Sequence, residues 1–468
     1  MRQTIPIVAA PVAQPPAPAA RPAWPARWGD AMQRHRGAIQ AIQWAVVGAY
    51  ALLLVVPVFL PLPPAGASIV DDLRLFAQFV FWGLWWPFVI LSVMLVGRAW
   101  CGVFCPEGAL TEFASRHGLG RSIPRWLRWG GWPVLAFNAT TVYAQLISVY
   151  DHPRAALLIL GGSTIAAVAV GYVYGQGKRV WCRYLCPVSG VFALLAQLSP
   201  LHFRADEAAW RGYRGPMPRV DCAPLLNLRQ LDGASACHAC GRCSGHRGAI
   251  ALAARSPNAE ILALDSRSEV SASLLLFGLL GVAVGAFQWS ASPWFVALRQ
   301  AAAQWLVARD AFALLDDDAP WWLLTHEPAA NDVFSWLDGL LILGYIGGYA
   351  LLAGGLAWLA LRAAQGLLGT VGWRRLAMAL VPLAGIGLFL GLSMTTVTHL
   401  RAEGVALGWV RPVRIALLVL ALGWSLWLAW RLVRRSAAAG PRQAAALALC
   451  AVPMSMTAAI WAQLLFVW

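Results

Sequence analysis

The chain has 468 residues, 59% of them apolar and only 12% charged. Soluble domains run at about 45–50% apolar and about 25% charged, so this composition excludes a water-soluble enzyme, a disordered chain and a disulfide-stapled secreted domain. The formal charge of +15 does not point to nucleic acid, because Lys178 is the only lysine among 36 basic residues and the bias towards Arg, Ala and Gly runs throughout. An integral membrane protein remains, and its 26 Trp suit membrane–water interfaces.

The first 30 residues are rich in Pro and Ala and lack the charged start and apolar core of a signal peptide. A disordered cytoplasmic tail is expected over residues 1–38. A spanning helix needs about 20 mostly apolar residues. Nine segments meet that length: 39–60, 76–96, 130–150, 155–175, 270–290, 336–361, 376–397, 409–430 and 443–463. Asn138, Thr140, Thr141 and Gln145 interrupt the third and are expected to face other helices. With the N-terminus inside, 29 of the 36 basic residues fall on the inner side, as the positive-inside rule requires. The loop 176–269 is then inside and the loop 291–335 outside.

Eight of the nine cysteines lie in patterned groups on the inner side: Cys101 and Cys105 before Pro106, Cys182 and Cys186 before Pro187, and Cys222 ahead of Cys237, Cys240 and Cys243. Reducing surroundings favour metal or redox chemistry over disulfides there. Zinc prefers paired Cys-x-x-Cys groups across a loop. Three cysteines at two-residue intervals, with a remote fourth, are instead iron–sulfur spacing, and Cys-Pro echoes the end of ferredoxin runs. Eight cysteines match two [4Fe–4S] clusters. The simplest partition puts Cys101, Cys105, Cys182 and Cys186 on one and Cys222, Cys237, Cys240 and Cys243 on the other. A mixed partition competes, since ferredoxin runs exchange their fourth ligand. Arg247 stands where such a run would place that cysteine.

Arg98-Ala-Trp-Cys-Gly-Val-Phe-Cys-Pro repeats as Arg179-Val-Trp-Cys-Arg-Tyr-Leu-Cys-Pro. Each copy follows a pair of predicted spans, so two such units side by side would bring their hairpins together. The two arginines anchor the interface, with a secondary role in offsetting thiolate charge.

On these twin motifs the chain resembles the membrane-bound polyferredoxins of the NapH, NosR and CcoG type, over residues 40–250. The resemblance implies cluster ligation by the matched cysteines in a bacterial inner membrane. It also implies electron transfer between a cytoplasmic or quinol donor and a membrane or periplasmic acceptor. The family also includes maturation factors that reduce a metal or cofactor for a partner enzyme, which is the alternative. Either way, an electron carrier or oxidoreductase subunit is expected rather than a stand-alone enzyme. The expected partners are the quinone pool, a redox protein or a reductase in a membrane complex. The chain departs from the family at Arg247, in its extra spans after residue 270, and in showing no flavin domain of the NosR kind.

The expected fold is therefore an all-α membrane protein of about nine helices with a cytoplasmic ferredoxin-like segment. Its parts are the tail 1–38, a duplicated hairpin domain 39–200, a cysteine-rich segment 201–269 and a five-helix domain 270–468. His399 and Arg401, at the outer end of a span, are candidate contacts for quinone or a b-type haem. His152 and His326 sit in outer loops, where capping or loop hydrogen bonds are expected. His238 and His246 are expected at the surface, and Cys450 as a small buried hydrophobe.

Overall fold

The computed structural model describes residues 24–64, 66–216, 220, 222–263 and 269–468. Residues 1–23 of the expected tail lie outside the described residues. The rest of it is helical, which corrects the expectation of disorder up to residue 38. Helix α1 (Trp24–Arg34) is followed at Arg36 by the first span. The cause is tertiary. Gly29 packs against Phe203 and Leu252, and Ser244 Oγ donates to Asp30 at 2.8 Å, contacts that a Pro- and Ala-rich composition does not reveal.

Among the described residues, eight helices are long and apolar enough to cross a membrane. They are α2 (Arg36–Phe59), α3 (Leu73–Val96), α6 (Pro153–Tyr174), α8 (Glu269–Gln288), α10 (Trp336–Leu368), α11 (Trp373–Ala402), α12 (Val410–Val433) and α13 (Gly440–Phe466). Shorter helices fill the intervals: α4 (Pro106–Arg116), α5 (Trp132–Leu146), α7 (Ser189–Leu198) and α9 (Pro293–Val307).

The segment expected to span at 130–150 is α5, with only 15 residues. At about 1.5 Å per residue it covers about 22 Å, short of the hydrocarbon's thickness of about 30 Å. Gly130 and Gly131 precede it, and Ser148 turns left-handed (φ 44°) just beyond it. Its start packs near Gly190, while Leu146 O at its end accepts from Thr325 of the 291–335 loop. Its polar residues do face protein: Gln145 accepts from Trp289 Nε1 at 2.8 Å, and Asn138 lies against Gly278 of α8.

One core joins both halves of the chain. Val89 and Val93 of α3, Leu195 of α7, Leu275 of α8, Leu361 of α10, Leu383 of α11 and Leu428 of α12 share it, each with no exposed surface. Cys450 is wholly buried there. Leu351 and Leu352 of α10 are 70% and 71% exposed, as lipid-facing residues are.

The cysteine-rich segment adds the sheet that an all-α reading leaves out. β1 (Leu201–Ala205) pairs antiparallel with β2 (Ile250–Ala254), Phe203 opposite Leu252. Phe203, Leu231, Cys243, Ile250 and Leu252 make a small core beneath them. In the other large loop, β3 (His326–Glu327) and β4 (Asp332–Val333) form a two-residue ladder.

Candidate metal centres

Gly97 (φ 67°) ends α3, and the chain turns into the first hairpin. Pro106 then opens α4, a position where proline's missing N–H costs nothing. Cys105 caps that helix, its Sγ accepting from Gly108 N at 3.4 Å, so the positive end of α4 faces a thiol.

The two repeats are cross-bonded. Arg98 of the first copy donates from Nη2 to Ser189 Oγ, 2.9 Å away and just past the second Cys-Pro. Ser189 in turn donates to Cys182 O at 2.9 Å. Arg179 of the second copy donates through Nη1 to Cys101 O of the first. Trp181 Nε1 reaches Glu107 at 3.2 Å. Each repeat's arginine thus fixes the other repeat's hairpin.

The third group joins them through backbone. Arg179 N donates to Ala223 O at 2.9 Å, which places the Cys222 turn beside the second hairpin. Within 237–243, Ala239 (φ 45°) and Gly241 (φ 74°) are left-handed, and Ala239 N donates to Cys237 Sγ at 3.3 Å. A Cβ on Gly102 would lie 2.2 Å from His238 O and 2.9 Å from Cys240 Cα. Only glycine lets the first hairpin and this loop touch.

Cys101, Cys105, Cys182 and Cys186 all line one cavity of about 580 Å³. Cys222, Cys237, Cys240 and Cys243 all line another, much smaller. None of the eight is in a disulfide. Among the described residues no three His, Cys, Asp or Glu side chains sit close enough to hold a single ion.

Burial, then neighbouring thiols, makes ionisation hard. Burial pushes the Cys182 and Cys237 thiols up to about 12, and those of Cys105, Cys186 and Cys243 also rise. A bound cationic centre inverts that preference. Two guanidiniums stand between the groups. Arg98 and Arg179 are 4% and 1% exposed, and each acts electrostatically on thiols of both sets. Arg98 has no carboxylate partner among the described residues, and Arg98 Nε and Arg179 Nη2 lack any hydrogen bond. Buried cations of this kind need an anion nearby. A four-thiolate iron–sulfur cluster is anionic, so the soft donors and the charge fit it.

Glu112, unremarked in the sequence, is 3% exposed and ties three elements together. It accepts from Arg116 at 2.6 Å, Arg179 at 2.9 Å and Arg242 at 2.7 Å. Burial opposes its charge, but Arg179 and Arg242 outweigh that and hold it below the usual carboxylate range. Glu112→Gln should therefore destabilise the protein by about 3–5 kcal/mol, the cost of leaving buried charge unpaired. A thermal melt in detergent measures this, and an unchanged midpoint would contradict it.

Of the other sequence candidates, His399, Arg401 and His152 line neither cysteine cavity. His399 Nδ1 is 2.9 Å from Thr395 O, its ring against Phe79, and Arg401 is exposed. His152 Nε2 contacts Asp332 at 2.7 Å, tying the turn after α5 to β4. Arg247 stacks on Trp210. His238, expected at the surface, is 2% exposed. The cavity beside the first cysteines was not legible, since residues from many helices meet there. It continues past Trp85 and Thr141 to Gln145 and Tyr150 near the far end of α5.

A 4Fe–4S binding domain family matches residues 78–128 and 157–205. The two matched stretches are the two repeats with their preceding spans, and they contain Cys101, Cys105, Cys182 and Cys186. The chain is also similar to YccM of Escherichia coli (strain K12), named as a candidate electron-transport protein, at 28% identity over 142 residues. That alignment covers 25% of this chain and 40% of the relative, so the chain spans well under two thirds of the relative's length. No solved structure matches. With its long apolar helices, the chain is a multi-pass iron–sulfur membrane protein.

Proposed function

We propose that the protein is a membrane electron carrier holding two [4Fe–4S] clusters, one in each four-cysteine cavity. The observation that carries this is the separation of eight thiols into two sets of four with buried guanidiniums between them. A bound cluster supplies one-electron transfer at little structural cost. The chain's own residues do the remainder. The cysteines hold the metal, Arg98 and Arg179 offset its charge, and the apolar walls exclude water. We read residues 39–200 as the scaffold of the first centre, 201–269 as that of the second, and the cysteine face as cytoplasmic.

The acceptor is read as a membrane quinone. The 580 Å³ cavity beside Cys101 is largely aromatic and aliphatic, and Thr140, Thr141 and Gln145 supply a few polar groups. That mixture is usual for a flat lipophilic ligand. His399 and Arg401 do not line it and are kept as a second contact for the quinone or a haem. Thr141→Trp should fill the cavity. Reoxidation of the dithionite-reduced protein by a short-chain quinone should slow several-fold, with ferricyanide reoxidation and iron content unchanged. Equal slowing with both oxidants would remove the cavity from the pathway.

A further inference from the structure

A cleft of about 370 Å³, which shares Arg98, Cys182 and Ser189 with the larger cysteine cavity, opens on the cysteine side where the starts of α5 and α8 meet α7. Two side chains lining it, Arg98 and His238, are more than nine-tenths buried and keep a ring or guanidine nitrogen without a partner, Nε of Arg98 and Nδ1 of His238. A second guanidinium, Arg183, and the hydroxyl residue Ser271 also line it. No Asp or Glu does so among the described residues. Cys182, Ser189 and Ser235 also line it, and one wall is apolar, formed by Val134 of α5, Leu194 of α7 and Leu274 of α8.

The chain leading into Gly130 at its edge reads Arg125-Trp126-Leu127-Arg128-Trp129. Trp126 and Trp129 are 59% and 56% exposed, and both arginines are exposed. Exposed Trp beside Arg marks a membrane–water interface. A basic pocket between helix ends at that level is where anionic headgroups bind. Cation at one side and hydrocarbon at the other match an amphipathic anion.

We propose that this cleft binds a phosphate group. Its source is the headgroup of an anionic phospholipid with its chains along Val134 and Leu274, or a free phosphate ion. The cleft shares Arg98 and Cys182 with the first cysteine cavity, and its test reads lipid and phosphate retention, which can fail while the electron-carrier reading stands.

The test uses the purified full-length holoprotein. It is reconstituted in vesicles of phosphatidylcholine alone or mixed with phosphatidylglycerol, extracted, and weighed by native mass spectrometry for retained lipid. In a parallel arm, inorganic phosphate is titrated against the delipidated protein and the melting temperature followed. Two guanidiniums near the headgroup predict a preference for phosphatidylglycerol of roughly thirtyfold, falling about fivefold in Arg183→Gln. Ser271→Phe, which blocks the cleft, should abolish the preference. Arg309→Gln, on a cation stacked over Trp305 far along the chain, should leave it intact. Iron content equal to the parent's certifies that each variant is folded. Retained phosphatidylglycerol identifies a lipid source. A saturable melting shift with phosphate alone, lost in Ser271→Phe, identifies a free ion. Equal retention of both lipids with no phosphate effect would overturn the proposal. So would an equal loss in Arg183→Gln and Arg309→Gln.

Discussion

Cys101→Ala should remove about half of the bound iron, and Cys101→Ala with Cys182→Ala should remove no more. Cys101→Ala with Cys243→Ala should remove nearly all of it. The reasoning is geometric. Cys101 and Cys182 come from different repeats, yet both line the larger cavity, while Cys243 lines the smaller one. Alanine has no donor atom, and a cubane that loses a thiolate from a buried site has little in reach to replace it. Glu107 is the carboxylate on that wall, and burial raises its carboxyl, so it offers a poor anion. Iron and acid-labile sulfide per chain are the readout. If the Cys101–Cys182 pair were iron-free, ligands would be exchanged between the two sites.

Gly102→Val should separate the two centres. The Cβ alone would stand 2.2 Å from His238 O, and a backbone atom cannot swing aside as a side chain can. Either the first hairpin or the 237–243 loop must move, and overpacking of this sort costs about 1–3 kcal/mol or more. The loop is expected to move, because its side-chain tie to the hairpin side is Arg242 on Glu112, whereas the hairpin is fixed by both repeat arginines. The expected result is loss of iron from the second set with the first retained, and a lower melting temperature. Gly344→Ala, at a position open on all sides, is the control and should change neither. Full iron with a normal melt in Gly102→Val would mean that the hairpin and the loop are not in contact.

What the sequence discloses follows from how each element is specified. The long spans are legible because hydrocarbon forces some twenty apolar residues in a row, and all eight observed spans coincide with expected ones. α5 is harder, since Gly130, Gly131 and Ser148 shorten it at both ends while its polar residues Asn138 and Gln145 face protein. The cysteines are legible by spacing, and the repeat exposes Arg98 and Arg179 as equivalents. Their exchange across repeats is not legible, because it depends on how the hairpins cross. Glu112 carries no local mark: its meaning comes from Arg179 and Arg242, 67 and 130 residues away. Helix α1 was hidden for the same reason, as its partners Phe203, Ser244 and Leu252 lie some two hundred residues further along.

The central claim is that one chain holds two neighbouring four-iron clusters. Low-temperature electron paramagnetic resonance of the anaerobically purified, dithionite-reduced protein, with iron counted on the same sample, tests it most directly. Two sets of thiols on segments that touch at Gly102 predict about eight irons per chain and a reduced spectrum broadened by spin–spin coupling between two clusters. In Gly102→Val that coupling should vanish together with the second cluster. A spectrum of one isolated cluster with about four irons, or a protein carrying zinc and no paramagnetic signal, would contradict the account.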